Sequence, residues 1–229
     1  MFRKSSIITF LLIIIILLLA LFVFKGNNYL LSSSLLVMAS CLPFYYKYEK
    51  RKPEPREFII IVIMCALAIS NRLAFAFLPA FKPLVAIIII TGASFGCEAG
   101  FMCGSLSALV SNMFFGQGPW TLYQTLIWGL IGFGAGLLNR KQLLENKLIR
   151  YFYGLLVGGL FSISIDFLTA IGSGYTNEKF LALFGASLPF MIYYALSNVL
   201  FLYFLYEPIT KKLTRVKLKY GIVDEKYRL

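Results

Sequence analysis

Long, uninterrupted runs of apolar residues constrain this chain more than any other feature of its sequence. Several reach the roughly 18 residues that suggest a membrane-spanning helix, and they are continuous rather than alternating, which disfavours a β-barrel. Apolar residues make up 59% of the chain and charged residues only 14%, too few to cover a soluble core. We therefore predict an all-α polytopic membrane protein with eight spans, at 7–24, 29–46, 58–78, 84–96, 101–115, 121–138, 150–171 and 181–205.

The distribution of Lys and Arg predicts the orientation of these spans. All but four of the 22 basic residues lie in the N-terminus, in "KYEKRKPEPRE", in "NRKQLLENKLIR" or in the tail from Lys211. Eight spans place these four segments on one side of the membrane. The positive-inside rule then predicts cytoplasmic N- and C-termini. The net charge of +12 is accounted for by topology and contact with anionic lipid, so no nucleic-acid partner is expected.

The charged segment "YYKYEKRKPEPRE" is a visible boundary in the chain. It predicts two N-terminal transmembrane helices in residues 1–50, a cytoplasmic linker at 51–57, a six-helix core at 58–206 and a basic tail at 207–229. Enzymatic function is not expected, because the sequence has no His and only Asp166 is an acid well inside a span. No CxxC pair and no GxxxxGK[ST] motif occurs, so no metal, no cofactor and no nucleotide site is expected.

The predicted outward connections share an unusual composition. "SNMFFGQGPWTLYQ" (111–124) combines two Gly and a Pro with aromatic and amide side chains, and "FLPAFKPL" (77–84) is similar. Such loops suit a shared outer pocket for a large, mostly neutral ligand, although a Gly/Pro turn flanked by an aromatic belt is the alternative. The candidate binding residues in these loops are Phe81, Lys82, Asn112, Gln117, Trp120, Tyr123 and Gln124.

Two charged residues, Arg72 and Asp166, lie inside predicted spans at similar depth. They are roughly 21 Å and 24 Å from the cytoplasmic end at 1.5 Å per residue. A charge at membrane depth needs a partner or a watery cavity. We expect an ion pair or ligand contact at the pocket floor; a pair that only locks two helices, or an outward-snorkelling Arg72, is the alternative.

A stripe of small residues, Ala66, Ser70 and Ala74, lies about 200° around the same helix from Arg72. If Arg72 points into the bundle, the stripe faces outward and permits close approach by another helix. That helix belongs either to a partner or to the N-terminal spans of this chain.

The stretch from "NRLAFAFLPAFKPL" through "FFGQGPWTLYQ" to "GFGAGLL" resembles the substrate-binding S components of energy-coupling factor (ECF) vitamin transporters, and more narrowly the cobalamin-type (CbrT-like) S components. The close resemblance covers residues 58–138, and the six-helix layout extends it to about 206.

The resemblance implies a six-helix binder that captures a vitamin, cobalamin first, from outside the cell. It implies partners as well: a transmembrane coupling subunit and two cytoplasmic ATPases that supply the energy. It also implies that Ala66, Ser70 and Ala74 dock on the coupling subunit, although the literal AxxxA pattern of other S components is missing. An S component for another ligand, such as a queuosine precursor, and a non-transporting membrane scaffold are the alternatives.

Overall fold

The computed structural model describes residues 55–172 and 177–221, together with seven helical positions between 31 and 46. Within 55–221 the chain forms six α-helices joined by short connections, and the described residues contain no strand. We number the helices α1 (Pro55–Ala74), α2 (Leu84–Phe95), α3 (Cys97–Phe115), α4 (Pro119–Arg140), α5 (Lys147–Gly172) and α6 (Asn177–Lys219). A short 3₁₀ turn, Leu143–Glu145, precedes α5.

The predicted all-α class and six-helix core are confirmed, while several helix ends differ from the prediction. The helix α1 ends at Ala74 and is followed by turns, four residues before the predicted end of the third span at 78. The helix α6 is longer than expected, since it continues from the predicted end at 205 to Lys219. The predicted first span, 7–24, lies outside the described residues.

The short helix α2 lies at the centre of the bundle. Its residues from Leu84 to Gly92 are all buried, and the helix contacts α1, α3, α4 and α6. A helix that is apolar on every side fits either a packed interior or a lipid-facing position. The packing of four other helices around "LVAIIIITG" therefore makes α2 the centre of the bundle.

Apolar side chains also cover the outside of the bundle. Large exposed residues include Ile59 and Ile63 on α1, Phe152 on α5, and Tyr203 and Phe204 on α6. Four of the described helices, α1, α4, α5 and α6, are long and apolar enough to cross a membrane. An apolar exterior around a packed interior is what a lipid environment requires, and the protein is a multi-pass membrane protein.

Glycines allow the tight joints and close packing of the central helices. Gly96 joins α2 to α3 with φ of 96°, and Gly116 ends α3 with φ of 94°, both in a region that favours glycine. A Cβ atom added to Gly132 of α4 would overlap the carbonyl group of Gly100 in α3. The backbones of α3 and α4 therefore approach more closely than larger residues permit.

Candidate functional site

A pocket opens between α1, α2, α4 and α6 beside the α1–α2 loop. It encloses about 360 Å³ of empty space, including its open mouth. Three of its lining residues were predicted from sequence: Arg72, Lys82 and Gln124. The other five are Leu84, Val85, Trp128, Tyr194 and Asn198.

Arg72 lies near the end of α1 and points into the bundle, with only 7% of its surface exposed. Its Nη1 atom donates to the Asn112 Oδ1 atom at 2.8 Å and to the Ser111 hydroxyl, both on α3. The guanidinium also lies over the rings of Phe115 and Trp128, at 4.6 and 4.8 Å from their centroids. These contacts hold the cation at the pocket wall and replace part of its lost hydration.

The expected ion pair between Arg72 and Asp166 is wrong. Among the described residues no salt bridge joins them, and Arg72 is instead hydrogen-bonded to α3. Tyr194 on α6 lies within electrostatic range of both charges. The Asp166 side chain is buried, and its Oδ2 atom has no hydrogen-bond partner among the described residues. Equal depth along two helices did not bring the charges together, because α3 supplies polar groups nearer to Arg72.

Asn112 connects Arg72 to the loop between α3 and α4. Its Oδ1 atom accepts from Arg72, and its Nδ2 atom donates to Gln124 Oε1 at 2.9 Å and to Thr121 Oγ1 at 3.2 Å. The Gly118 backbone N–H donates to the same Thr121 oxygen at 3.2 Å. The "GQG" turn is therefore linked to the Arg72 guanidinium through the buried side chains of Thr121 and Asn112. This link gives a structural reason for the amides and glycines in this stretch.

Lys82 is presented by the loop between α1 and α2. Its backbone N–H donates to Ser197 Oγ at 3.0 Å, which fixes the loop against α6. Its ammonium lies 4.9 Å from the centroid of the Phe115 ring. Partial burial and, secondarily, the charge of Arg72 lower the pKa of Lys82 below its ordinary value. The neighbouring Phe81 packs against Phe201, with ring centroids 5.1 Å apart.

Six of the nine predicted binding residues are not among those that line this pocket: Phe81 and Asn112, whose contacts are described above, and Gln117, Trp120, Tyr123 and Asp166. Trp120 is 41% exposed at the surface. Tyr123 is buried in a second apolar cluster with Cys97 and Phe101. Gln117 donates to the Leu109 carbonyl oxygen at 3.4 Å. A ligand role for these six residues stays a prediction.

Three of the five pocket residues that sequence reasoning missed, Trp128, Tyr194 and Asn198, lie one helical turn from another polar or aromatic pocket residue. Trp128 follows Gln124 by four residues, so both lie on one face of α4. Tyr194 and Asn198 are related in the same way on α6. Asn198 could have been found from the sequence, because it is an amide within a predicted span. In the structure it is 2% exposed, and its Nδ2 atom donates to the Gly154 carbonyl oxygen at 3.0 Å.

The small stripe on α1 has the orientation that the helical periodicity predicted. Ala66, Ser70 and Ala74 are exposed, while Arg72 on the same helix is buried. Its role in docking a partner stays a prediction.

Helices of membrane-spanning length, packed around a polar pocket, define a membrane-embedded solute-binding protein. A comparison with family models identifies which kind of solute-binding protein this is. The model of the ECF-type riboflavin transporter S component matches residues 56–211. The chain belongs to this family. Comparisons with curated proteins and with solved structures gave no match.

Family membership makes the chain a membrane substrate-binding subunit of an ECF transporter rather than an enzyme. It also implies association with an ECF module of coupling subunit and ATPases. The alternative of a non-transporting scaffold is therefore not supported. The family name mentions riboflavin, and the narrower resemblance to cobalamin-type S components is not confirmed.

Proposed function

We propose that the protein captures a vitamin from the outer side of the bacterial cell membrane and delivers it inward through an ATP-driven ECF module. With the cytoplasmic termini predicted from Lys and Arg, the α1–α2 and α3–α4 loops lie outside, and Lys82 of the α1–α2 loop lines the pocket. The sequence has no P-loop, so the energy for transport comes from partner ATPases.

For the ligand we propose a heteroaromatic vitamin of the flavin class, with riboflavin as the first compound to test. The observation that carries this choice is the pocket, where the aromatic residues Trp128 and Tyr194 lie beside the amides of Gln124 and Asn198. Aromatic rings suit a planar ring system, and amides suit its carbonyl and N–H groups. The printed name of the family supports the same choice.

Cobalamin, the ligand first expected from the sequence, stays an untested prediction. A direct comparison of the two vitamins on the same purified protein decides between them.

The test is a binding titration of the purified full chain with riboflavin and with cobalamin, using two tryptophan variants as a matched pair. Trp128 is 4% exposed and lines the pocket, whereas Trp120 is 41% exposed and lies outside it. Trp128→Phe should weaken riboflavin binding about 2- to 10-fold, the value of one good aromatic contact. Trp120→Phe should leave the affinity within twofold.

Thermal stability of both variants shows whether they remain folded. Tighter binding of cobalamin than of riboflavin would contradict the ligand assignment. Co-purification of the chain with an ECF module tests the transporter role separately, since it does not depend on which vitamin is bound.

A further inference from the structure

The pocket has an unusual charge balance. Arg72 from α1 and Lys82 from the α1–α2 loop both line it, and none of its described lining residues is acidic. Two cations on one wall repel each other, and the shared pocket offers no carboxylate to offset that repulsion. Such an arrangement is stabilised by whatever negative group enters the pocket.

The ring of Phe115 organises the two cations. The Arg72 guanidinium and the Lys82 ammonium lie 4.6 and 4.9 Å from the centroid of this one ring. Contact with an aromatic ring lowers the cost of keeping a cation partly dehydrated, yet it does not neutralise the charge. Both cations thus remain available to a ligand.

The hydrogen bonds within the wall leave donors, rather than acceptors, free beside these charges. Only Nη1 of Arg72 donates to a described residue, and the Lys82 ammonium has no hydrogen bond or ion pair with any described residue. Gln124 uses its oxygen to accept from Asn112, so its NH₂ group remains for the pocket. One acceptor, Asn198 Oδ1, remains on the α6 side, because the NH₂ group of Asn198 donates to Gly154.

We propose that the ligand of this pocket carries an anionic oxygen group, a phosphate or a carboxylate, that binds between Arg72 and Lys82 with Gln124 as a further donor. The inference rests on the proposed function for ligand capture, and it changes the preferred ligand from neutral riboflavin to an anionic compound such as riboflavin 5′-phosphate. It replaces the mostly neutral ligand expected from the loop composition, because the tertiary structure brings two cations to one wall.

Matched pairs of probes, each an anion and a neutral analogue that lacks the anionic group, test the proposal. Riboflavin 5′-phosphate is compared with riboflavin, and nicotinate with nicotinamide, by titration of the purified full chain. The anion of at least one pair should bind about tenfold or more tightly than its neutral partner, as one added charge-assisted hydrogen bond predicts. A preference confined to the first pair identifies phosphate as the group, and one confined to the second identifies carboxylate.

The variant Lys82→Gln removes one charge without breaking any hydrogen bond of its side chain to a described residue, so the fold should survive. It should reduce the anion preference to less than threefold, while Arg72→Lys should reduce it partly by removing the planar guanidinium. Lys179→Gln, which changes an exposed residue outside the pocket, is the control and should retain the full preference.

Equal binding of the anion and the neutral partner in both pairs would overturn the inference, as would an unchanged preference in Lys82→Gln. If riboflavin itself binds and the chain co-purifies with an ECF module, those results leave the proposed function intact. Binding of none of the four probes counts against the anionic ligand and the flavin assignment alike.

Discussion

Asn112 is the residue whose replacement should reveal the polar network most clearly. In Asn112→Ala the Arg72 guanidinium loses its 2.8 Å acceptor, and Gln124 and Thr121 lose their shared amide donor. Asn112 is fully buried, so no water replaces these contacts without a structural change. The variant should therefore be destabilised and should also bind ligand less tightly, since both Arg72 and Gln124 lose a positioning contact.

The expected size follows from the three contacts. A hydrogen bond to a charged group contributes about 1.5–3 kcal/mol to stability. Side-chain hydrogen bonds between membrane helices average about 0.6 kcal/mol, which applies to the two neutral contacts. The free energy of unfolding should fall by about 3–4 kcal/mol in total.

Asn71→Ala is the matched control. Asn71 precedes Arg72 on α1, and its amide donates at 2.8 Å to the Leu67 carbonyl oxygen of its own helix at an exposed position. Both substitutions exchange Asn for Ala within a helix, so the gain in helix propensity cancels in the comparison. Asn71→Ala should change the free energy of unfolding by less than about 0.6 kcal/mol.

The assay is denaturant unfolding of the purified protein in detergent micelles, followed by a ligand titration. A loss for Asn112→Ala no larger than that for Asn71→Ala would refute the reasoning, because it would mean that the network contributes nothing measurable. A large loss of stability with unchanged ligand affinity would separate Asn112 from the pocket.

The remaining predictions concern pH, packing and assembly. Burial and the charge of Arg72 lower the pKa of Lys82, so the preference for riboflavin 5′-phosphate over riboflavin should fade as pH rises, before the ordinary lysine value of 10.5 is reached. The phosphate is fully ionised from about pH 7 upward, and Lys82→Gln should abolish the fading in the same titration. Gly132→Ala should cost about 1–3 kcal/mol in unfolding experiments because its methyl group meets the α3 backbone, whereas Gly185→Ala, with open space around it, should cost nothing. Ala66→Leu with Ser70→Leu should prevent co-purification with the ECF module and spare riboflavin binding; intact co-purification would place the docking surface elsewhere.

Part of the site was predictable because some information is local. The direction of Arg72 relative to Ala66, Ser70 and Ala74 follows from the 3.6-residue period, and the structure has that orientation. Lys82 was expected beside a pocket because of the composition of the α1–α2 loop, and it does line one. These inferences need only the order of residues along one helix or loop.

The partner of Arg72 was not predictable in the same way. Sequence gives the depth of Arg72 and Asp166 along their helices, but not the rotation and packing of α1, α3 and α5 around one another. Those depend on side-chain fit, including the close approach of α3 to α4 at Gly132. The packing of the helices placed Asn112 next to the Arg72 guanidinium, and only the tertiary structure shows this contact.

By itself the sequence determined the all-α membrane class, the six-helix core and the absence of a nucleotide motif, because apolar length, periodicity and charge act along the chain. The tertiary structure decided which Trp reaches the pocket, that Tyr194 and Asn198 join residues more than 60 positions away, and that Arg72 and Lys82 share one wall. The residues that line the pocket come from distant segments of the chain, so its chemistry depends on how the helices rotate and pack against one another.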